Sequence, residues 1–142
     1  MTDAKERNGR CLCGAARVSG TIQNDNVAAC HCTICRKWGG GPLLAVDCGA
    51  DFRIENEDNV SVYASSAWAE RGFCRQCGTH LFYRLKQGPR YFVPAGVFGD
   101  GEPWALTHQI FIDEKPDFYS FANPTTNLTG AELFAQFASE QK

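Results

Sequence analysis

The sequence lacks a long hydrophobic run: no apolar stretch approaches the ~20 residues that a membrane-spanning helix requires. It also lacks a basic patch, because its 14 Lys and Arg residues are scattered and the formal net charge is -2. Neither a membrane nor a nucleic-acid partner is therefore expected. The stretch from Met1 to Arg10 is too polar for a secretory signal, and we expect a cytoplasmic protein.

Internal repeats, low-complexity tracts and linkers are absent as well. The 142 residues are enough for one domain with its own core, and 44% hydrophobic and 21% charged residues are values of globular proteins. These figures exclude a disordered or fibrous chain. We predict a single domain over residues 1–142.

Short runs of β-branched and aromatic residues, separated by Gly and Pro, predict an all-β domain. The candidate strands are Ala15 to Ser19, Val27 to Cys30, Pro42 to Val46, Val60 to Ala64, Trp68 to Phe73, His80 to Leu85, Tyr91 to Val97 and His108 to Ile112. One short C-terminal helix is predicted, because Thr129 and Glu132 form a capping box before Leu133, Phe134 and Phe137 at helical spacing.

Eight cysteines are an unusual number for a chain of this size. In a reducing compartment, clustered thiols bind metal more often than they form disulfides. Two clusters, Cys11-Leu12-Cys13-Gly14 and Cys74-Arg75-Gln76-Cys77-Gly78, each supply two thiolates and a glycine that can adopt positive φ. Together they complete a tetrahedral set of four sulfurs, which predicts a closed structural zinc site.

The third cluster, Cys30-His31-Cys32-Thr33-Ile34-Cys35, carries three cysteines within six residues. Three protein ligands leave one coordination position for water or substrate, as in catalytic zinc sites. The alternatives are that Cys48 or His31 completes the site, that the thiols bind no metal, or that they form a redox cluster. The ring of His31 is expected to point away, since both its neighbours are ligands.

The number of thiolates narrows the predicted chemistry. Three thiolates leave a zinc complex with a net charge of about -1, which is a weak Lewis acid for water but accepts a soft fourth ligand. A substrate thiol bound there loses its proton near neutral pH and becomes a nucleophile. The residues therefore indicate activation of a small thiol.

The three cysteine motifs also resemble those of a known family. Cys11 to Gly14, Cys30 to Lys37 and Phe73 to Thr79 match, in order, the C-x-C-G, C-H-C-x-x-C-R-K and F-C-x-x-C-G-T/S patterns of the glutathione-dependent formaldehyde-activating enzymes. The resemblance spans roughly Gly9 to Ile112, which leaves 113–142 as a tail and helix. After Pro116 the sequence departs from the family pattern.

The resemblance implies a β-tent fold of small antiparallel sheets with two zinc ions per chain. The implied structural zinc ligands are Cys11, Cys13, Cys74 and Cys77. The implied catalytic zinc ligands are Cys30, Cys32 and Cys35. The implied activity is the condensation of glutathione with formaldehyde to S-(hydroxymethyl)glutathione. This is the reverse of a carbon–sulfur lyase reaction, so the enzyme is classed as a lyase.

Five further side chains are candidates for a role. Trp38 could cover the second zinc site, and Arg36 and Lys37 could meet the carboxylates of an anionic thiol. His108 could move a proton, although a structural role is the alternative, and His80 is expected only to pack.

Two other function classes stay open. One is a zinc-stabilised protein-binding module without turnover, favoured if Cys48 completes the second site. The other is a thiol redox enzyme, which would need Cys48 as its reactive cysteine.

Overall fold

The computed structural model describes residues 5–140, and the side chains through Ala138. Strands predominate, as predicted. They are β1 (Lys5–Arg10), β2 (Arg17–Ile22), β3 (Asn26–Cys30), β4 (Leu43–Gly49), β5 (Phe52–Glu55), β6 (Val60–Tyr63), β7 (Ala69–Cys74), β8 (His80–Leu85), β9 (Arg90–Pro94), β10 (Ala105–Ile110) and β11 (Thr126–Leu128). The described part of the chain has two α-helices, α1 (Thr33–Gly39) and α2 (Gly130–Glu140). Neither is long and apolar enough to cross a membrane.

The chain forms two compact units. Unit 1 holds the residues up to Asp25 together with Ala45–Trp104, and unit 2 holds Asn26–Leu44 and the residues from Ala105 onward. The prediction of one domain over the whole chain stays a prediction.

Unit 1 is built from antiparallel strands. One sheet has the order β1-β2-β5, and the remaining strands pair in the order β4-β9-β8-β7-β6. Its apolar core is formed by side chains on several of these strands. Val18, Ile22, Val46, Leu81 and Val93 are among its buried members.

Unit 2 pairs its strands in parallel, with β10 between β3 and β11. This differs from the antiparallel sheets that the family resemblance implies. The predicted C-terminal helix is confirmed as α2. Its capping box is reciprocal: the amide of Thr129 donates to Glu132 Oε1 at 2.8 Å, and the amide of Glu132 donates to Thr129 Oγ1 at 3.1 Å.

All eight predicted strands are present, with ends shifted by a few residues, and His80–Leu85 matches at both ends. The sequence reading missed β1, β5, β11 and α1. Strand β1 is polar, and only Arg7 within it is buried, so it has no apolar pattern to detect. Arg7 is held by Asp25 at 2.8 Å and Glu102 at 2.7 Å.

Candidate metal centres

Cys11, Cys13, Cys74 and Cys77 form a group of four sulfurs in unit 1 that all lie within 4.8 Å of one another. The Sγ atoms of Cys11 and Cys13 are 3.6 Å apart, and those of Cys13 and Cys74 are 3.8 Å apart. A tetrahedral ion that bonds sulfur at about 2.3 Å needs its ligands about 3.8 Å apart. The four cysteines therefore fit a closed tetrahedral metal site.

Two tight turns place these sulfurs. Cys11 follows β1 and Cys74 ends β7, and each turn closes with a glycine at positive φ, Gly14 at 82° and Gly78 at 81°. The turn geometry directs backbone amides at sulfur: Ala16 N lies 3.3 Å from Cys11 Sγ, and Cys77 N lies 3.5 Å from Cys74 Sγ. Such N–H···S bonds stabilise the thiolate form that a metal requires.

Thr79 ties the two turns together. Its hydroxyl oxygen accepts a hydrogen bond from the Leu12 amide at 3.0 Å and lies 3.1 Å from Cys77 Sγ. The side chain and amide of Thr79, followed by the Cys13 amide, lower the pKa of Cys77 to about 5. These hydrogen bonds favour the thiolate form of Cys77, which is the form that a metal ion binds.

Cys30, Cys32 and Cys35 form the second group, in unit 2, and their sulfurs also lie within 4.8 Å of one another. Cys30 ends β3, and Cys32 is the N-cap of α1, where its Sγ accepts a hydrogen bond from the Cys35 amide at 3.3 Å. The sulfurs of Cys32 and Cys35 raise the pKa of Cys30, and burial adds to the effect. Three thiolates this close repel each other, so the set is suited to a cation.

His31 lies between two of these cysteines and is fully buried. Its Nε2 is 2.8 Å from Gln109 Oε1, and its Nδ1 is 2.8 Å from the hydroxyl of Tyr119. The ring therefore points away from the sulfur group, as expected. Burial lowers the pKa of His31, with smaller contributions from Lys115 and Arg36.

A small cleft lies beside α1. It has a volume of about 200 Å³ and is lined by Thr33, Arg36, Lys37, Gly40, Gly41 and Phe118. Arg36 is partly engaged, since its Nε donates to the carbonyl of His31 at 2.9 Å. Phe118 is 81% exposed and forms an apolar edge of the cleft. The cleft thus offers positive charge and an apolar surface.

Cys48 is placed in unit 1, on β4. Its side chain is 2% exposed, and burial followed by the charges of Asp47 and Asp51 raises its pKa to about 12. A thiol that is buried and protonated is a poor redox nucleophile. These properties weigh against a redox enzyme based on Cys48.

The remaining candidate side chains, His108, His80 and Trp38, are all half-buried. Thr107 Oγ1 is 2.8 Å from His108 Nδ1. His80 is half-buried, and burial followed by the charge of Arg71 lowers its pKa. Trp38, on α1, is half-buried. Sequence reasoning missed Gln109 and Tyr119, because single polar residues far from the motifs carry no signal of contact with His31.

Comparison with known proteins identifies relatives of this chain. A sequence model of the family described as "Glutathione-dependent formaldehyde-activating enzyme" matches residues 6–114. A protein of Schizosaccharomyces pombe named "Uncharacterized lyase" is 39% identical over 129 residues, 90% of this chain and 94% of its own length. A Podospora anserina protein named "Putative glutathione-dependent formaldehyde-activating enzyme" is 32% identical over 126 residues, 80% of this chain and 53% of its own.

A solved structure is also similar. A crystal structure of a Rhodobacter sphaeroides protein has a TM-score of 0.58 and 25% identity, and it covers 68% of this chain and 91% of its own. The family match and the name of the fission-yeast relative support an enzyme of the lyase class.

Proposed function

Because the chain belongs to the glutathione-dependent formaldehyde-activating enzyme family, we propose that it is a carbon–sulfur lyase acting on a small thiol and a small aldehyde. The thiol is glutathione, and the aldehyde is formaldehyde or a similar carbonyl compound. The observation that carries the proposal is the group of Cys30, Cys32 and Cys35, which gathers three sulfurs where β3 ends and α1 begins.

Both cysteine groups hold zinc in this proposal. Cys11, Cys13, Cys74 and Cys77 supply four ligands and form a closed structural site, as their spacing near 3.8 Å supports. Cys30, Cys32 and Cys35 supply three ligands of the catalytic site. A zinc ion held by three thiolates supplies one position for a substrate thiol and lowers the pKa of that thiol toward neutral pH.

The reaction balances without a redox partner. The thiol sulfur forms a bond to the carbonyl carbon, the C=O double bond becomes a single bond, and the proton lost from sulfur ends on the new hydroxyl oxygen. In the reverse direction the C–S bond breaks and the two substrates are released, which is the lyase step.

Residues of the cleft bind and orient the thiol substrate. Arg36 and Lys37 attract its carboxylates, and Phe118 covers its apolar part. Cys32 is the half-buried member of its group, whereas Cys30 and Cys35 are buried, so substrate approaches on the side of Cys32.

Exchange NMR between formaldehyde, glutathione and their adduct tests the proposal. The zinc-loaded protein is expected to speed exchange above the uncatalysed rate, and Cys32→Ser is expected to abolish the acceleration. Cys48→Ser is the matched control, because Cys48 is a buried thiol outside both groups, and it should retain the acceleration. If the native protein leaves the exchange rate unchanged, the lyase proposal fails and a protein-binding module without turnover takes its place.

A further inference from the structure

A continuous series of hydrogen bonds runs through His31, from a buried bond to Gln109 out to an exposed bond at Asn127. It begins at the hydroxyl of Tyr119, 2.8 Å from Nδ1, and leaves the ring at Nε2, 2.8 Å from Gln109 Oε1. Gln109 Nε2 donates to Thr125 Oγ1 at 2.9 Å, and that hydroxyl donates to Asn127 Oδ1 at 2.6 Å. The chain joins β10 to the segment that carries Tyr119.

The donors in this chain can be assigned by starting from its far end. The Thr125 hydroxyl gives its only proton to Asn127, so it accepts from the amide nitrogen of Gln109. The carbonyl oxygen of Gln109 then faces His31, and Nε2 must carry the proton. A neutral ring protonated at Nε2 has a bare Nδ1, which accepts from the hydroxyl of Tyr119.

We infer that Tyr119 and Gln109 are positioning residues that hold His31 in the neutral Nε2–H tautomer and thereby orient the neighbouring thiolates of Cys30 and Cys32. This inference rests on the proposed function, in which these cysteines bind zinc. The His31 backbone is fixed as well, because its amide donates to Ile110 O at 3.1 Å.

The position of His31 links its ring to the sulfur positions of Cys30 and Cys32. His31 is the only residue between Cys30 and Cys32, and it is 0% exposed. Bonds that hold this buried ring in place therefore also restrict the short backbone segment that carries both sulfurs. The sulfurs keep their positions only if both ring nitrogens are hydrogen-bonded. One bond comes from Gln109 on β10 and the other from Tyr119, on different sides of the ring. Groups that orient metal ligands affect metal affinity about 10- to 100-fold.

Cadmium NMR of the protein loaded with ¹¹³Cd²⁺ tests the inference, since each cysteine group gives its own resonance. Tyr119→Phe removes only the hydroxyl. It is expected to shift the resonance of the three-cysteine group, leave the four-cysteine resonance in place, and weaken Cd²⁺ binding at the three-cysteine group about five- to tenfold in chelator competition. Tyr63→Phe is the matched control, because the Tyr63 side chain is 62% exposed and lies in unit 1.

Nitrogen-15 NMR of the histidine rings reads the tautomer directly. His31 is expected to carry its proton on Nε2 in the wild type, and Gln109→Met, which keeps the side-chain length but removes the acceptor, is expected to abolish that preference. A proton on Nδ1 in the wild type, or unchanged cadmium resonances and affinity in Tyr119→Phe, overturns the positioning role while the proposed function stands. A wild type with a single cadmium resonance overturns both.

Discussion

Loss of the four-cysteine site should destabilise the fold more than loss of the three-cysteine site. The first site joins turns 61 residues apart, as measured between Cys13 and Cys74. Treated as a cross-link, a loop of that length restricts the unfolded chain by about 4 kcal/mol. The second site closes a loop of only about five residues, from Cys30 to Cys35, which is worth about 2 kcal/mol on the same relation.

Two variants compare these sites on equal terms. Cys13→Ser with Cys77→Ser removes the two exposed thiols of the first group, and Cys32→Ser removes the half-buried thiol of the second, so each group keeps two cysteines. The double variant is expected to lose one zinc per chain, about 4 kcal/mol of unfolding free energy, and about 10–15 °C in Tm. Cys32→Ser is expected to lose one zinc, about half as much unfolding free energy, and all of the acceleration of adduct exchange.

Urea denaturation of each variant, paired with metal analysis of the same sample, measures both quantities. The wild type treated with a chelator serves as the control, and it should fall at or below the double variant in stability. Equal destabilisation by the two variants, or a double variant as stable as the wild type, would refute the division into a structural and a catalytic site.

Three further results are expected. Gly72→Ala should lower the free energy of unfolding by about 1–3 kcal/mol in urea denaturation, because the new Cβ would lie 2.1 Å from Cε2 of Phe82. Adding Phe82→Leu should restore part of the loss, and full stability of the single variant would contradict this reasoning. Phe118→Ala should raise KM for the thiol severalfold with an unchanged Tm, since the ring is exposed at the cleft; an unchanged KM removes Phe118 from the substrate site. Cys48→Ala should cost about 1–2 kcal/mol and retain exchange, whereas lost exchange in a folded variant would reopen a role for this thiol.

The sequence predicts each cysteine pair and the three-cysteine segment well because their geometry is local, whereas the meeting of the two pairs is inferred from the number of ligands that a tetrahedral ion needs. A pair of cysteines separated by one or two residues, with a glycine that adopts positive φ, turns the chain through a fixed path whatever surrounds it. The capping box at Thr129 and Glu132 is local for the same reason. Each of these features depends on residues that are neighbours in the sequence.

The elements that were missed depend on distant partners or on unusual chemistry. Strand β1 is polar and is fixed by the ion pairs of Arg7, whose acidic partners lie 18 and 95 residues away. Helix α1 is capped by Cys32, whose sulfur takes the place of the usual Ser or Asp oxygen at the N-cap, so the usual start signal is absent from the sequence. The parallel pairing of β10 with β3 and β11 has no local signature either.

The two cysteine groups also differ in which parts of the chain position their sulfurs. In the first group, two turns from distant parts of unit 1 approach each other, and an ion that bridges them stabilises the fold directly. In the second group all three sulfurs lie on one short segment, so the ion joins nothing distant, and the sulfur positions depend on the end of β3, the cap of α1 and the contacts of His31. Substitutions around His31 should therefore change the metal affinity and reactivity of the three-cysteine group in variants that remain folded. Substitutions around Thr79 should mainly lower the free energy of unfolding. The same ligand chemistry serves two purposes because the chain separation between ligands differs.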